Sequence, residues 1–270
     1  MSIVTWPQWL GATEMGRAIA TGNAHLVDAL GLPATLMLTT SVHGDPATQQ
    51  GIVGRSELLS AMEHANRLLD TAQNVLLVGG DCATDIAPIA IANRRSDGLL
   101  KLIYFDAHAD INIPAMSASG ALHGMVLGHL LGHGDSDILR IIGKGVLRVD
   151  QIQYRGVRVY DDYERDEVAR LGIDTQPIEA DPGSGDSPLY LHIDLDVLDP
   201  NSFPFTTWPA EGGPTVAELA RAVELLVDTG RVVGIAVTEC AAPTAADAQL
   251  LEPLLSVLRR WHATTAEIAH

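Results

Sequence analysis

Three separate stretches of the sequence combine carboxylates with a histidine or a cysteine. They read GGDC (79–82), DAHAD (106–110) and HIDLDVLDP (192–200), and each follows or ends a run of apolar residues. Carboxylate, imidazole and thiolate groups are the usual protein ligands of divalent metals. The three stretches are therefore candidates for parts of one metal site.

The apolar runs predict the strands of a parallel sheet. Runs that are apolar at consecutive positions suit strands buried on both faces, and the amphipathic segments between them suit crossover helices. A helical pattern in AADAQLLEPLLSVLRRWHAT predicts one closing helix. We therefore expect residues 1–270 to form a single α/β domain, a three-layer α/β/α sandwich around a mostly parallel sheet. The predicted strands lie in NVLLVGG, LLKLIYFDAHAD, GVRVYDD, PLYLHIDLDVLDP and VVGIAVTEC.

The carboxyl ends of parallel strands meet at one edge of the sheet, where ligands of such folds bind. Alternate residues of a strand end point the same way, which predicts a trio in DAHAD and a pair in HIDLD. Four carboxylates in one crevice would repel one another unless cations neutralise them. Two divalent metals meet this need, and a mostly carboxylate set with one imidazole suits manganese. Such a pair can activate water for hydrolysis.

Charge and composition exclude several function classes. The chain has 34 acidic and 17 basic residues and a formal net charge of −17, which would repel nucleic acid and anionic membranes. No apolar run reaches about 18 residues and the amino terminus lacks the features of a signal peptide, so we expect neither membrane spanning nor export. Two cysteines provide no disulfide framework. We expect a cytoplasmic enzyme with a small-molecule substrate.

Four motifs together resemble one enzyme family. FDAHADIN, SGALHG, HIDLDVLDP and VTECAAP, in this order and spacing, resemble the ureohydrolases, which include the arginases and agmatinases. The resemblance runs from about residue 75 to the carboxyl terminus and is loose over residues 1–70. It implies an α/β/α fold, two Mn²⁺ ions per chain, and hydrolysis of a guanidino group to a urea and an amine.

Carried over position by position, the resemblance implies six metal ligands. They are Asp106 and Asp194 bridging both ions, Cys82 and Asp110 on the first ion, and His108 and Asp196 on the second. It also implies that His123 transfers a proton and that Glu239 faces the guanidino group. We count both as catalytic residues, together with Asp110.

Further matches imply an α-amino-acid substrate. Asn112 and Ser119 resemble the residues that contact the substrate carboxylate in arginases. Asp161 and its neighbour Glu164 align with the acidic residues near the α-amino group, and Glu239 completes the predicted substrate contacts. An agmatinase substrate lacks this head group. The chain is thus more similar to the arginase branch.

The chain also departs from the arginase pattern. Cys82 stands where the family has a histidine after GGD, Ala236 replaces an aspartate, and Ala121 replaces an asparagine. Trp208 replaces a small threonine, which should reshape the pocket. A thiolate at position 82 adds negative charge at the metals, and the loss of a carboxylate at 236 partly offsets it. We interpret the two changes as a coupled adjustment to a substrate other than ordinary guanidinium.

A hydroxyguanidine is such a substrate, because it is far less basic than guanidinium. A GGDC ligand in an otherwise arginase-like chain resembles the branch that hydrolyses Nω-hydroxy-L-arginine to hydroxyurea and L-ornithine in D-cycloserine biosynthesis. The alternatives are an arginase, an agmatinase-like or guanidino-acid hydrolase, a non-catalytic or zinc-binding relative, and a protein with a redox-active Cys82. Only a short segment follows Glu239, so we expect a monomer rather than a trimer.

Overall fold

The computed structural model describes residues 1–72, 74–181 and 183–268. Eight of its strands form one sheet, in which every neighbouring pair is parallel. The strands are β1 (Ser2–Trp6), β2 (Leu36–Met37), β3 (Thr48–Gln49), β4 (Ile52–Val53), β5 (Val75–Gly79), β6 (Lys101–Phe105), β7 (Ile152–Arg155), β8 (Asp174–Gln176), β9 (Leu189–Asp194) and β10 (Val232–Thr238). Their order in the sheet is β2-β1-β5-β10-β9-β6-β7-β8, and β3 and β4 form a separate antiparallel pair.

Helices cover both faces of this sheet, which confirms the predicted α/β/α sandwich with a mostly parallel sheet. They are α1 (Arg17–Leu30), α2 (Arg55–Leu69), α3 (Ile86–Arg95), α4 (Val126–Leu130), α5 (Ser136–Ile142), α6 (Asp162–Leu171), α7 (Val216–Val227), α8 (Ala245–Ala248) and α9 (Glu252–Ile268). Helices α2 to α6 pack on one face, and α1, α7 and α9 on the other. Among the described residues, no helix has the length and apolar character needed to cross a membrane.

The core is split into two clusters because adjacent residues of a strand point to opposite faces. Leu77 and Tyr104 belong to the cluster under α2 and α3. Leu76 and Phe105, one position away, belong to the cluster under α7 and α9. Full burial of one such side chain stabilises the fold by roughly 1.5–3 kcal/mol. The consecutive apolar residues of the strands are thus explained by burial on both faces.

Two predicted elements were placed wrongly. The strand predicted in GVRVYDD lies earlier, at β7, because Gly156 adopts a positive φ of 104° and turns the chain out of the sheet. The single closing helix is broken into α8, a 3₁₀ turn (Gln249–Leu251) and α9. Pro253, near the start of α9, has no N–H to continue a helix from the preceding turn.

The first residues of the chain, which the sequence patterns did not assign, form part of the sheet and reach the predicted site. β1 pairs with β5, and the loop after β1 contacts the GGDC turn. A Cβ at Gly80 would lie 1.7 Å from the Gln8 carbonyl oxygen, so only glycine fits there. The Asp81 carboxylate accepts a hydrogen bond from the Gly11 N–H at 2.8 Å. The amino-terminal segment therefore contacts the GGDC turn and holds it in position.

Candidate metal centre

The predicted ligands and Glu239 lie at the carboxyl ends of four adjacent strands, β5, β10, β9 and β6. Asp106 directly follows β6, and Asp194 is the last residue of β9. Cys82 opens a 3₁₀ helix (Cys82–Asp85) three positions after β5, and Glu239 directly follows β10. The parallel topology thus brings residues that are far apart in sequence to one edge of the sheet.

Three groups of side chains there hold potential ligand atoms that all lie within 4.8 Å of one another. They are Cys82 with Asp106 and His192, Cys82 with Asp194 and Glu239, and Asp106 with His108 and Asp196. Cys82 and Asp106 each belong to two groups, so the groups form one continuous cluster. All members except the half-buried His108 are buried. Five of the six predicted metal ligands are in this cluster, and Asp110 is in none of the three groups.

Local hydrogen bonds fix the carboxylates of this cluster. The Asp194 carboxylate accepts the Asp196 N–H at 2.7 Å, which starts a short 3₁₀ helix (Leu195–Val197). The second carboxylate oxygen of Asp194 lies 3.0 Å from the Cys82 sulfur. His108 Nδ1 lies 2.8 Å from a carboxylate oxygen of Asp196. Protein contacts alone therefore hold these potential metal-binding atoms close to one another.

The electrostatics of the cluster fit divalent cations. Burial, with added repulsion from Asp110 and Asp196, raises the pKa of Asp106 well above its ordinary value. Burial and neighbouring carboxylates raise the pKa of Asp194 and of the Cys82 thiol in the same way. Asp106 Oδ2 is buried and has no hydrogen-bond partner. Positive charge at this place would let all these groups ionise and would give the orphaned oxygen a partner.

Asp110 lies beside the cluster in a strained conformation. Its φ is +49°, in the left-handed region, which is costly for a residue with a side chain. The Tyr104 hydroxyl donates a hydrogen bond of 2.7 Å to Asp110 Oδ2 and holds the carboxylate in place. Backbone strain of this kind concentrates at functional sites. The assignment of Asp110 to the first metal stays a prediction.

Glu239 links the cysteine to the predicted proton-transfer histidine. Its Oε1 accepts the Cys82 N–H and contacts His123 Nδ1, each at 3.1 Å, while Oε2 is buried without a partner. Burial alone would lower the pKa of His123, but Glu239, Asp110 and Asp81 raise it to about 9. Glu239 also has a left-handed φ, of +63°. His123 is thus suited to hold a proton, and Glu239 has one carboxylate oxygen available to accept a hydrogen bond.

The residues predicted to hold the amino-acid head group lie further out. Asn112 donates a hydrogen bond of 2.9 Å to Asp161, which caps the start of α6. Both carboxylate oxygens of Glu164 accept backbone N–H groups, from Ile111 and from Asp161. Ser119 is exposed, and its hydroxyl accepts the N–H of the residue two positions later. The contacts of these four residues with a substrate stay predictions.

Trp208 borders the entrance to the cluster. Its ring lies 6.1 Å from the ring of His123, measured between centroids, and its side chain is 41% exposed. Trp208 and His108 line a cavity of about 380 Å³. A bulky residue therefore lies near the predicted proton-transfer group, and its effect on the shape of the pocket stays a prediction.

Comparison with known proteins identifies the family. The model of the Arginase family matches residues 14–254. The chain belongs to the arginase family. Family members are metal-dependent hydrolases that act on guanidino C–N bonds of small amino-acid substrates, with a binuclear metal centre, and this chain is such an enzyme. The predicted resemblance to the ureohydrolases is thus confirmed.

Individual relatives of this arginase-family enzyme carry two different names. An arginase of Bacillus subtilis is 29% identical over 260 residues, covering 85% of this chain and 86% of the relative. An N(omega)-hydroxy-L-arginine amidinohydrolase of Streptomyces lavendulae is 29% identical over 215 residues, covering 76% and 73%. The solved structure of Entamoeba histolytica arginase with L-ornithine covers 95% of this chain and 97% of its own, with a TM-score of 0.81 and 19% identity. That structure shows the fold.

Sequence reasoning missed one member of the cluster in this arginase-family chain. His192 lies within HIDLDVLDP, but the sequence predicts no role for it, because a histidine inside an apolar strand is ordinarily a packed core residue. The sequence carries no signal that separates the two roles, and the full burial of His192 beside the cluster appears only in the structure.

Proposed function

We propose that the protein hydrolyses Nω-hydroxy-L-arginine to hydroxyurea and L-ornithine, with two Mn²⁺ ions bound by the strand-end cluster. The observation that carries the proposal is the position of Cys82, which is shared by two of the three ligand groups. A thiolate there changes the charge of the metal centre directly and is no peripheral substitution. We expect such a change in the charge at the metals to alter the preferred substrate.

Ala236 supports this reading. It is fully buried in β10, and its neighbours in the sheet are Leu77 and His192. An aspartate at this position would place a further negative charge beside a cluster that already contains a thiolate. With alanine instead of aspartate at this position, the total negative charge of the ligands stays closer to the positive charge of the two cations.

The roles proposed for Glu239 and His123 are based on their hydrogen bonds and unpaired atoms. Two bound Mn²⁺ ions would supply charge neutralisation and the activation of a water molecule near neutral pH. Glu239 Oε2 is buried and has no partner among the described residues, which supports a role for it as the acceptor of an N–H of the hydroxyguanidine. His123 carries the proton that the departing ornithine amine requires, and Glu239 Oε1 keeps its ring oriented.

Arginase activity is the second candidate. Its support is the Bacillus subtilis arginase, which is as similar in sequence identity as the hydroxyarginine enzyme. The pair of Asn112 and Asp161 favours a substrate with an amino-acid head group over agmatine in both cases. The two candidates differ only at the guanidino end of the substrate.

The substrate is tested with manganese-loaded protein offered L-arginine, Nω-hydroxy-L-arginine and agmatine in separate reactions. Release of ornithine from the hydroxylated compound, with at least about 10-fold lower kcat/KM for arginine, supports the proposal. Equal rates, or turnover of agmatine, would contradict it. The double variant Cys82→His with Ala236→Asp is expected to shift the preference towards arginine. The single variant Ala121→Asn, at a departure outside the ligand groups, serves as the matched control.

We also propose that the protein is a monomer. The segment after Glu239 is packed on its own chain, with α9 against α7 and α1, and Trp261 is only 4% exposed. Light scattering at micromolar concentration tests this proposal, and a mass three times that of the chain would contradict it.

A further inference from the structure

His192 is a fully buried histidine whose environment is unusual for a packed core residue. It lies in β9 between Ala236 of β10 and Tyr104 of β6, which are its direct neighbours in the sheet. The imidazole stacks on the Tyr104 ring with centroids 4.1 Å apart and an interplanar angle of 8°. The small Ala236 side chain leaves room on the other side. The ring is thus held in one plane.

Hydrogen bonds fix which nitrogen of His192 carries the proton. Nδ1 lies 2.9 Å from a carboxylate oxygen of Asp85, whose other oxygen accepts the Tyr190 hydroxyl. Both partners of Asp85 are donors if Nδ1 is protonated, which satisfies the buried carboxylate. Nε2 then carries a lone pair. A carboxylate that fixes the tautomer of an imidazole in this way is typical of histidines that bind metals.

The Nε2 atom is buried and has no hydrogen-bond partner among the residues that the structure describes. Leaving such an atom unpaired in the interior carries a free-energy cost that a bound cation would remove. With Nδ1 engaged by Asp85, Nε2 is the atom that His192 offers to the group it forms with Cys82 and Asp106, within 4.8 Å. The unpaired nitrogen therefore faces the metal cluster.

We propose that His192 is a metal ligand, and that Nε2 binds the first metal together with Cys82 and Asp106. The proposal rests on the binuclear centre proposed above but not on the identity of the substrate. The short 3₁₀ helix after β5 supplies both the thiolate at its first residue and, at its last residue, the Asp85 carboxylate that orients His192. An imidazole lost at position 82 is thus replaced by one from β9, which is separated from β5 by β10.

The ligand assignment connects two departures from the arginase pattern, Cys82 and Ala236, with His192. A side chain larger than alanine at 236 would press on the imidazole, since the two residues are paired across β9 and β10. Cys82 is short enough to leave the first metal accessible to a ligand from β9. Cys82, Ala236 and His192 therefore act as one unit, and changing one alone should disturb the other two.

Nitrogen hyperfine couplings in pulsed EPR of the Mn²⁺-loaded protein count the imidazoles on the metals. We expect couplings from two imidazoles in the wild-type protein, one from His108 and one from His192. In His108→Asn, couplings from one imidazole should remain, and they should disappear in the double variant with His192→Asn. Loss of all imidazole coupling in His108→Asn alone would overturn the proposal. Asparagine at 192 retains an amide N–H for Asp85, which favours folding.

Manganese affinity gives a second, independent readout. Competition with a chelator should show at least about 10-fold weaker binding of one Mn²⁺ ion in His192→Asn. His129→Asn is the matched control, because His129 is also fully buried but uses both ring nitrogens for backbone groups. Unchanged affinity in His192→Asn would contradict the proposal. If the EPR spectra show the His192 coupling but the protein does not hydrolyse Nω-hydroxy-L-arginine, the assignment of His192 as a ligand stands and the proposed function is refuted.

Discussion

The floor and the rim of the candidate site are built differently. We call Cys82, Asp106, His192, Asp194 and Asp196 the floor, and Asn112, Ser119, Asp161 and Glu164 the rim. The floor residues are all buried, and two of their polar atoms have no partner. At the rim, Ser119 and Asp161 are exposed, and Asp161 and Glu164 are hydrogen-bonded within the rim itself.

This difference indicates what each region can do. Unpaired buried atoms carry a free-energy cost that a cation or a substrate group can relieve, so the floor is built to be completed by a ligand. Most polar groups of the rim are hydrogen-bonded within the rim or to nearby backbone, and Asn112 Oδ1 is its one buried side-chain atom without a partner among the described residues. The rim can therefore select a head group, but it contributes little to the chemistry.

The largest effect is expected from removing a floor carboxylate. Asp194→Asn should reduce bound manganese from two ions per chain to one or fewer and lower kcat at least about 1000-fold, because both ions lose a ligand. Metal analysis by mass spectrometry and steady-state assays measure these effects. Asp199→Asn, in the same stretch but outside the three ligand groups, is the control and should retain both ions. Full metal content in Asp194→Asn would contradict the assigned role of the floor.

The second-largest loss of activity is expected at His123, which belongs to neither the floor nor the rim. His123→Asn should lower kcat by about 100- to 1000-fold by removing a proton donor, while the manganese content is unchanged. Rate measurements and metal analysis on the same preparation separate the two quantities. A loss of manganese would show that His123 belongs to the floor. A fall in kcat of less than about 10-fold would remove it from the proton-transfer role.

A rim substitution should change binding more than catalysis. Asp161→Asn should raise KM for the amino-acid substrate by about 10-fold with little change in kcat, because one charged hydrogen bond to the α-amino group is lost. Asparagine remains a good helix cap, so α6 should start at the same residue. Asp162→Asn, the adjacent acidic residue, is the control. A fall in kcat with unchanged KM would contradict the division into floor and rim.

The smallest effect on activity is expected at a buried ion pair between helices. Arg55, at the start of α2, binds the Asp135 carboxylate through two hydrogen bonds of 2.8 Å. Arg55→Gln should lower the free energy of unfolding by about 2 kcal/mol near neutral pH and leave kcat/KM unchanged. Denaturant unfolding and steady-state assays test both statements. A changed substrate preference would mean that this ion pair, which lies outside the floor and the rim, nevertheless affects them.

The same pair gives a pH dependence with a defined sign. Burial opposes ionisation of Asp135, but Arg55 and two backbone N–H groups hold its pKa below the ordinary value. The stabilisation is therefore complete above the unfolded pKa, about 3.9, and is lost as the pH falls through the lower folded pKa. The stability difference between wild type and Arg55→Gln should shrink below about pH 4. A constant difference down to pH 2 would contradict this linkage.

The sequence was informative where burial leaves a regular pattern. Consecutive apolar residues predicted β5, β6, β9 and β10, and five of the six predicted ligands after them lie in the cluster of potential metal-binding groups. β1 was missed because SIVTW is short and is preceded by no helical pattern that would mark a crossover. Its place in the sheet depends on pairing with β5, which is distant in sequence.

The role of His192 was not readable from the sequence for a related reason. A histidine in a buried strand has the same appearance whether its ring is packed or exposes a lone pair to a metal. The distinction depends on Asp85, more than 100 positions away, and on the size of residue 236. Only the fold brings these residues together.

The central claim is that the thiolate-containing floor is adapted to a hydroxyguanidine, and one competition experiment tests it most directly. The manganese-loaded wild-type protein is given L-arginine and Nω-hydroxy-L-arginine together at equal concentrations. The ratio of hydroxyurea to urea then equals the ratio of the two kcat/KM values. We predict at least about 10 molecules of hydroxyurea for each molecule of urea. A ratio near one, or an excess of urea, would contradict the account and identify the protein as an arginase that tolerates cysteine at position 82.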